Sequence, residues 1–480
     1  MQKAISKYGL AAHLALLAVA PLFLFPFCGE IWTARTLLWL SFLAFVWVLV
    51  EPSRRKGEML HDARFRVFIS VFRDPLFWFS IFLAIVAFVR WINGGVMMSY
   101  DAENAVWNLT EPALPFLPGS VSGCGYLPFA SVIAVAVVMQ GCRHALGKAA
   151  RLGFLFIASA LVGVAAVIAV TCAACGHRGA IAAAKCAAVD ATYVGNAFGL
   201  YFAASMGALV GAFERKWNRA MPLLIFSVGG CGVGLYMFST DLVIVVHALL
   251  AVVALAFSLM FAQRRIGGLA IPKCLALLLV AIAAGVVFAM GVVPSSVKAE
   301  RFAFLCQDGV KFVPDGFLAA REALSKIAAA VWKDHSWLGT GLGSFPLDIR
   351  FNASEGDWVL MASNQAGALN GWWQMLAERG IAGVLLFVSP LFFLALTYSM
   401  RAVAAVRDAV SKGRPLEIMA FQPICWIGPI AVVATAVCGF VDHSFWRPET
   451  MAAVAAMFAM SGSAFPAVAK NTDSQSETEK

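Results

Sequence analysis

Apolar residues in this chain fall into long unbroken blocks rather than into stripes. The stretch from Leu242 to Phe261, for example, neither alternates nor keeps one polar face. Blocks of roughly 18–22 apolar residues match a hydrocarbon core of ~30 Å crossed at 1.5 Å per residue. In lipid each backbone N–H and C=O must be paired within its own segment, so such blocks predict helices. A membrane barrel would require alternation instead. The pattern predicts an all-α polytopic membrane protein of about twelve transmembrane helices, at 10–28, 36–51, 75–95, 128–142, 153–173, 197–213, 221–239, 242–262, 274–293, 380–400, 423–441 and 449–466. The fourth is short, and only Phe238-Ser239-Thr240-Asp241 separates the seventh from the eighth.

Composition agrees with the pattern. Of 480 residues 61% are hydrophobic and only 13% charged, and the mean hydropathy is +0.81, whereas a soluble chain of this size carries about 25% charge. A net charge of +9 invites a nucleic-acid partner, but the cations are placed otherwise. With the N-terminus inside, most Lys and Arg residues fall in inner loops, among them Lys3, Lys7, Arg54, Arg55, Lys56, Arg143, Lys148, Arg151, Arg264, Arg265 and Arg401. Short outer loops and span ends hold few, such as Arg35, Arg90, Arg178, Lys185 and Arg447. This positive-inside bias predicts both termini in the cytoplasm and no nucleic-acid partner. Lys3, Lys7 and Ala18-Val19-Ala20 resemble a secretory leader, but the apolar block runs on through Phe27 and a second span follows, so an uncleaved anchor is expected.

Three connections are longer than the rest. The inner segment 52–74 is basic and suited to an anionic lipid surface. Segment 96–127, with Pro112, Pro115, Pro118 and Gly119, reads as irregular structure. Residues 401–422 read as a short surface helix. A larger insert, 294–379, is expected on the outer face between spans nine and ten, and an insert of about 86 residues in a compact fold is usually functional. It holds a helical stretch from Phe317 to Trp332 with Leu318, Leu324, Ile327 and Val331 near helical spacing, and a glycine turn at Gly339, Gly341 and Gly343. An amphipathic stretch from Ala368 to Glu378 then runs into span ten. The division expected is 1–220 as N-terminal transmembrane helices, 221–466 as a second transmembrane region carrying the insert, and 467–480 as a polar, disordered cytoplasmic tail. Cys28, Cys124, Cys175, Cys186 and Cys306 lie where disulfides are feasible. Cys172 and Cys175 have redox or metal spacing but no second ligand pair, so they are read as small helix residues and no metal or cofactor is expected.

The informative segment is Asn370-Gly371-Trp372-Trp373-Gln374-Met375-Leu376-Ala377-Glu378-Arg379-Gly380-Ile381-Ala382-Gly383. It describes a helix with Gln374 and Glu378 on one face that ends at a glycine, where a span begins. Gly380 and Gly383 are spaced for close helix approach. Asn370, nine intervening residues and Gly380-x-x-Gly383 resemble a signature of the O-antigen ligase and polymerase superfamily. Upstream, Arg321 and then Asp334-His335-Ser336-Trp337-Leu338-Gly339-Thr340-Gly341-Leu342-Gly343-Ser344-Phe345 resemble that family's arginine-bearing helix and glycine turn. Asp442-His443-Ser444 before Pro448 resembles its last outer loop. The resemblance covers roughly residues 220–460.

The resemblance implies a metal-independent glycosyltransferase of the bacterial inner membrane, of the kind used in lipopolysaccharide biosynthesis. Such enzymes take a glycan from an undecaprenyl-diphosphate carrier and pass it to a hydroxyl on lipid A core, another glycan or a protein. The chemistry asks for cations on the departing diphosphate, a base near the attacking hydroxyl and a cavity open to membrane lipid. Arginine suits the first, since its fork pairs bidentately with phosphate and stays charged. Histidine suits the second. Two positions depart from the family pattern: its histidine falls on Leu369, and its Ser-Arg pair falls on Ser239 and Thr240.

The residues left to carry the chemistry each have a plainer reading. Arg321, Arg301, Arg379 and Arg90 are candidate carrier-phosphate ligands, or else solvated and interfacial cations. Asp334 with His335, and His443 beside Asp442, are candidate oriented bases, or else exposed loop residues. His247, deep in span eight, is a suspect because burying it is costly. Trp332, Trp337, Trp358, Trp372 and Trp373 either stack on sugars or form an interfacial belt, the belt being favoured for Trp372 and Trp373. A family member that binds glycan lipid without catalysis, and a secondary transporter, are the competing expectations.

Overall fold

The computed structural model describes residues 2–50, 52, 58–93, 97–101, 106–110, 114, 126–146, 148–177, 193–214, 220–239, 243–253, 255, 315–352, 367–368, 370–411, 423–440 and 447–462. The chain is mostly helical over them. The helices are α1 (Gln2–Leu24), α2 (Glu30–Val50), α3 (Leu60–Phe72), α4 (Pro75–Asn93), α5 (Tyr126–Cys142), α6 (Lys148–Ala174), α7 (Tyr193–Glu214), α8 (Met221–Phe238) and α9 (Val243–Val253). They continue with α10 (Asp315–Asp334), α11 (Phe345–Asn352), α12 (Gly371–Ser411), α13 (Pro423–Cys438) and α14 (Pro448–Gly462). Each predicted span that falls on described residues is helical over most of its length. Five stretches are long and apolar enough to cross a membrane: Ile31–Val50, Pro75–Asn93, Leu127–Ala145, Gly153–Ala174 and Met221–Phe238. The predicted span 274–293, the insert's first part at 294–314 and the tail at 467–480 lie outside the described residues.

The core lies among α1, α5, α6, α7, α8 and α14. Small residues let these backbones approach: Ala11, Ala15 and Ala18 of α1, Ala158, Ala165 and Ala169 of α6, and Ala452, Ala456 and Ala459 of α14 are all buried. A Cβ on Gly163 would lie 2.9 Å from the Ser227 Cα, so α6 and α8 meet there backbone to backbone. At the periphery the pattern reverses. Trp39, Phe42, Phe45 and Leu49 of α2, and Phe82, Ile85, Phe88 and Ile92 of α4, are exposed, as befits helices whose outer face is solvated by hydrocarbon.

Two segments differ from expectation. Segment 96–127 is not wholly irregular: Met97–Asp101 (β1) and Val106–Thr110 (β2) pair antiparallel, with Met97 opposite Thr110 and Asp101 opposite Val106. Hairpin pairing gives these backbone groups the partners an irregular loop would lack. The buried Asn93 side chain bonds both the N–H and the C=O of Leu114, tying the loop back to α4. Where a separate surface helix was expected from 401, the chain continues α12 as far as Ser411, and 412–422 lie outside the described residues. Cys28 and Cys175 carry no disulfide, and neither does Cys172.

One end of the bundle is held by buried charge. Asp74 caps α4 through Leu76 N–H at 3.1 Å and pairs with Arg143, while His144 Nε2 lies 2.9 Å from the same carboxylate oxygen. Arg143 also donates to Ala459 O of α14 at 3.1 Å. Burial pushes the Asp74 carboxyl up, but the His144 hydrogen bond and the Arg143 charge outweigh it and hold the group below its usual range. Breaking such a pair strands the remaining charge. Asp74→Ala is therefore expected to lower the stability of detergent-solubilised protein by about 3–5 kcal/mol in denaturant or thermal titration. Lys326→Ala, which removes an exposed pair with Glu322 on α10, should leave it unchanged within the scatter of the titration.

Candidate functional site

At the opposite end of the bundle the two sequence motifs meet. The turn after α10 runs from His335 to Ser344, and Gly339, Gly341 and Gly343 all have positive φ, at 70°, 119° and 76°. Helix α12 is interrupted at Gly380, with φ 62° and ψ −164°. The two irregularities fit each other. A Cβ on Gly339 would lie 2.3 Å from Arg379 N, and one on Gly380 would lie 2.3 Å from the Trp337 carbonyl carbon. Four backbone hydrogen bonds close the joint: Thr340 N–H to Ala377 O at 2.9 Å, Gly341 N–H to Glu378 O at 3.0 Å, Ile381 N–H to Ser336 O at 2.9 Å and Ala382 N–H to Trp337 O at 3.1 Å. The turn thus supplies partners to backbone groups that the helix break leaves open. Gly380 accordingly admits a turn rather than a neighbouring helix, as its spacing had suggested.

Side chains lock the joint from beneath. Glu378 is buried, accepts from Gln374 Nε2 at 3.1 Å and from the backbone N–H groups of Gly343 and Phe345. Burial pushes its carboxyl up to about 7, against the pull of those donors and of Arg379. Asp348 accepts from Thr340 at 2.8 Å and Ser344 at 3.0 Å, and burial raises its pKa too. Asn370 is the N-cap of α12: its Oδ1 accepts from Trp372 and Trp373 N–H at 3.1 and 3.3 Å. Trp372 donates to Ala436 O of α13 at 2.8 Å, and Trp373 packs edge-on against Trp332 at 6.2 Å. Both rings pack between elements.

The joint places Arg379. Its guanidinium lies 4.2 Å from the centre of the Phe129 ring on α5. Its aliphatic stem lies across Gly383, where a Cβ would come within 2.2 Å of the Arg379 Cβ; Gly383 is room for this arginine. Arg90, near the end of α4, reaches the same place and donates to Leu338 O at 3.2 Å, while its Nε meets no acceptor among the described residues. Burial pulls Arg379 down to about 9, the Glu378 charge opposing the fall and the nearby Arg90 charge adding to it; it remains charged at neutral pH.

Both arginines line one cavity of about 290 Å³, enclosed by α4, α5, α12 and α14 together with Leu338 and Leu342 of the turn. From Arg90 it extends along α4 to Leu76, roughly 21 Å at 1.5 Å per residue. Away from the arginines its wall is almost wholly apolar, with Leu83, Val132, Phe387 and Val454, and Gln140 is a polar residue along it.

The other candidates fall elsewhere. Arg321 is half-buried on α10, lowered by burial, and does not line the cavity. Asp334 and His335 are exposed at the end of α10 and do not line it either. Arg301, His443, Thr240, Leu369 and Trp358 lie outside the described residues. His247 is buried among α7, α9 and α13, with Nε2 bonded to Asn196 and 3.8 Å from Cys438 Sγ, where it serves packing away from the cavity. Among the described residues no group of three His, Cys, Asp or Glu is arranged to hold a metal ion. Phe129, Gln140 and Asp348 were not singled out by sequence; an aromatic, an amide and a carboxylate in apolar or loop settings gave no signal apart from the fold.

Fold and site together define a helical chain with membrane-length apolar helices and a cationic apolar cavity. No protein-family model matches the chain, and no curated protein matches it.

Two outcomes are expected of the joint. Gly339→Ala and Gly380→Ala each combine a left-handed backbone with a backbone clash, about 2–4 kcal/mol. Each should make the turn far more sensitive to limited proteolysis, while Gly176→Ala, whose Cβ meets nothing within 4 Å, should leave it intact. Glu378 has a folded-state pKa near 7, raised from about 4.3 in an unfolded chain. Its contribution to stability is present at low pH and lost as pH rises through 7. Between about pH 4 and pH 8 the protein should lose about 3 kcal/mol more than its Glu378→Gln variant.

Proposed function

We propose that the chain is an O-antigen-ligase-like glycosyltransferase of the bacterial inner membrane, with both termini cytoplasmic and the insert on the far side. In this reading it takes a glycan from a polyprenyl-diphosphate carrier and transfers it to an acceptor hydroxyl. The observation that carries it is the pair Arg90 and Arg379, both half-buried and lining one end of an elongated apolar cavity. Each arginine brings a positive charge to the same cavity end, and a ligand with two negative charges can pair with both. A diphosphate supplies those charges, and its isoprenoid chain matches the apolar wall. Acyl-chain lipids with monoanionic headgroups fit the wall but answer the two cations less fully.

The transfer step needs a group to receive the acceptor's proton. Among the described residues no histidine or carboxylate lines the cavity. Together with Leu369 at the family's histidine position, this favours a second reading in which the chain binds the glycan lipid without transferring it. A transporter reading has no specific support.

Binding distinguishes the site from its neighbours. Arg90→Ala and Arg379→Ala are each expected to weaken binding of a polyprenyl diphosphate to purified protein by about tenfold or more, since each removes charge-assisted bonds of about 1.5–3 kcal/mol. Arg321→Ala and His335→Ala should stay within about twofold of the parent. Equal loss in all four, or in none, would dispose of the cavity as the carrier site. Formation of glycosylated acceptor from a polyprenyl-diphosphate glycan separates transfer from binding alone.

A further inference from the structure

Helix α3 (Leu60–Phe72) has 13 residues, about 20 Å at 1.5 Å per residue, too few to cross a ~30 Å hydrocarbon core. One face packs on the bundle: Ala63 and Val67 are buried, and Val67 and Val71 join the main core. The opposite face carries Phe65, Phe68 and Phe72 at helical spacing, 59%, 58% and 48% exposed. His61 opens the same stripe and is exposed. A contiguous aromatic row of this kind marks a membrane or partner surface.

The row does not stop where α3 ends. The rings of Phe68 and Phe72 have centres 4.4 Å apart, and Phe72 meets Trp78 of α4 edge-on at 5.4 Å. Trp78 Nε1 donates to Phe72 O at 2.8 Å. From Trp78 the exposed row continues along α4 through Phe82, Ile85, Phe88 and Ile92, the face solvated by hydrocarbon. An indole with its ring in an apolar row and its N–H on a carbonyl suits the boundary between hydrocarbon and headgroups. The stripe of α3 and the lipid face of α4 are thus one continuous surface. Its charges lean positive. Glu58 is occupied by Arg66 at 2.8 and 3.1 Å, and Asp74 by Arg143. Arg64 and Arg73 are exposed, against Asp62 as the exposed acid of the helix, and Arg54, Arg55 and Lys56 precede it in the chain. Aromatic and cationic side chains side by side fit anionic lipid.

We propose that α3 is an interfacial helix. It seats Phe65, Phe68 and Phe72 at the headgroup boundary of the leaflet at the Asp74 end of the bundle, with Arg64 and Arg73 on anionic phospholipid headgroups. A second copy or a soluble partner would also cover an apolar stripe, but neither accounts for its continuity with the lipid face of α4. Seated so, α3 holds the start of α4 at headgroup depth. Each basic residue near an anionic surface contributes about fivefold in preference for such lipid. The proposal stands apart from the carrier reading, whose arginines lie at the other end of the bundle.

The test uses the full chain in bilayers of equimolar phosphatidylglycerol and phosphatidylcholine, with the photoreactive p-benzoylphenylalanine replacing Phe65 or Phe68. Illumination should attach the mass of a phospholipid at either position. The adducts should be enriched more than about fivefold in phosphatidylglycerol over phosphatidylcholine. With Arg64→Gln and Arg73→Gln added, lipid adducts should persist while the enrichment falls most of the way to the bilayer ratio. Adducts to a second copy of the chain, or no lipid adduct at either position, would overturn the interfacial placement. Lipid adducts without headgroup preference, or a preference unchanged in the arginine variant, would overturn the role given to Arg64 and Arg73.

Discussion

Two left-handed glycines facing each other across a few ångströms are the constraint on which the candidate site depends. Gly380 breaks α12, and Gly339 turns the chain after α10. A Cβ on either would strike the backbone beside the other. A helix break near a membrane is tolerated only where protein supplies the lost hydrogen bonds. Here the turn supplies them, and Glu378 beneath it ties Gly343 and Phe345 to the same point. Without this joint Arg379 would have no fixed direction, and Leu338 and Leu342 would not close the cavity beside Arg90.

The two ends of the bundle treat buried charge differently. At one end Arg143 is answered by Asp74, with His144 and the Ala459 carbonyl completing the arrangement, so the charge holds α4, α5 and α14 together. At the other, Arg90 and Arg379 line an apolar cavity, with Glu378, which also accepts from backbone donors, beside Arg379. Cations compensated within the protein stabilise it. The cations at the other end line a cavity instead of joining helices.

The sequence made the spanning helices legible because lipid leaves so few alternatives. Apolar length placed α4, α5, α7, α8, α13 and α14 to within a few residues, and the middle of α1, α2, α6 and α12. Helix α3, in a segment read as a basic surface loop, was missed. The amphipathic spacing of Leu324, Ile327 and Val331 placed α10 as well. Glycine spacing located the joint, but not its meaning. Nothing in the chain's order says that Gly380 admits a turn from forty residues upstream, or that Gly383 makes room for Arg379. Arg90 and Arg379 were singled out separately as interfacial cations, and only tertiary packing brings them into one cavity. Phe129 and Gln140 stayed hidden because each is one more residue in an apolar helix. Arg321 and His335, which the motif resemblance brought forward, proved to lie off the cavity.

The central claim is that the cavity behind Arg90 and Arg379 is a site for an anionic lipid, and an experimental structure of the protein with polyprenyl diphosphate tests it most directly. The account predicts phosphate density against both guanidinium groups and chain density between α4 and α12. Phosphate density at Arg321 or His335, with the cavity filled by its own side chains, would contradict it.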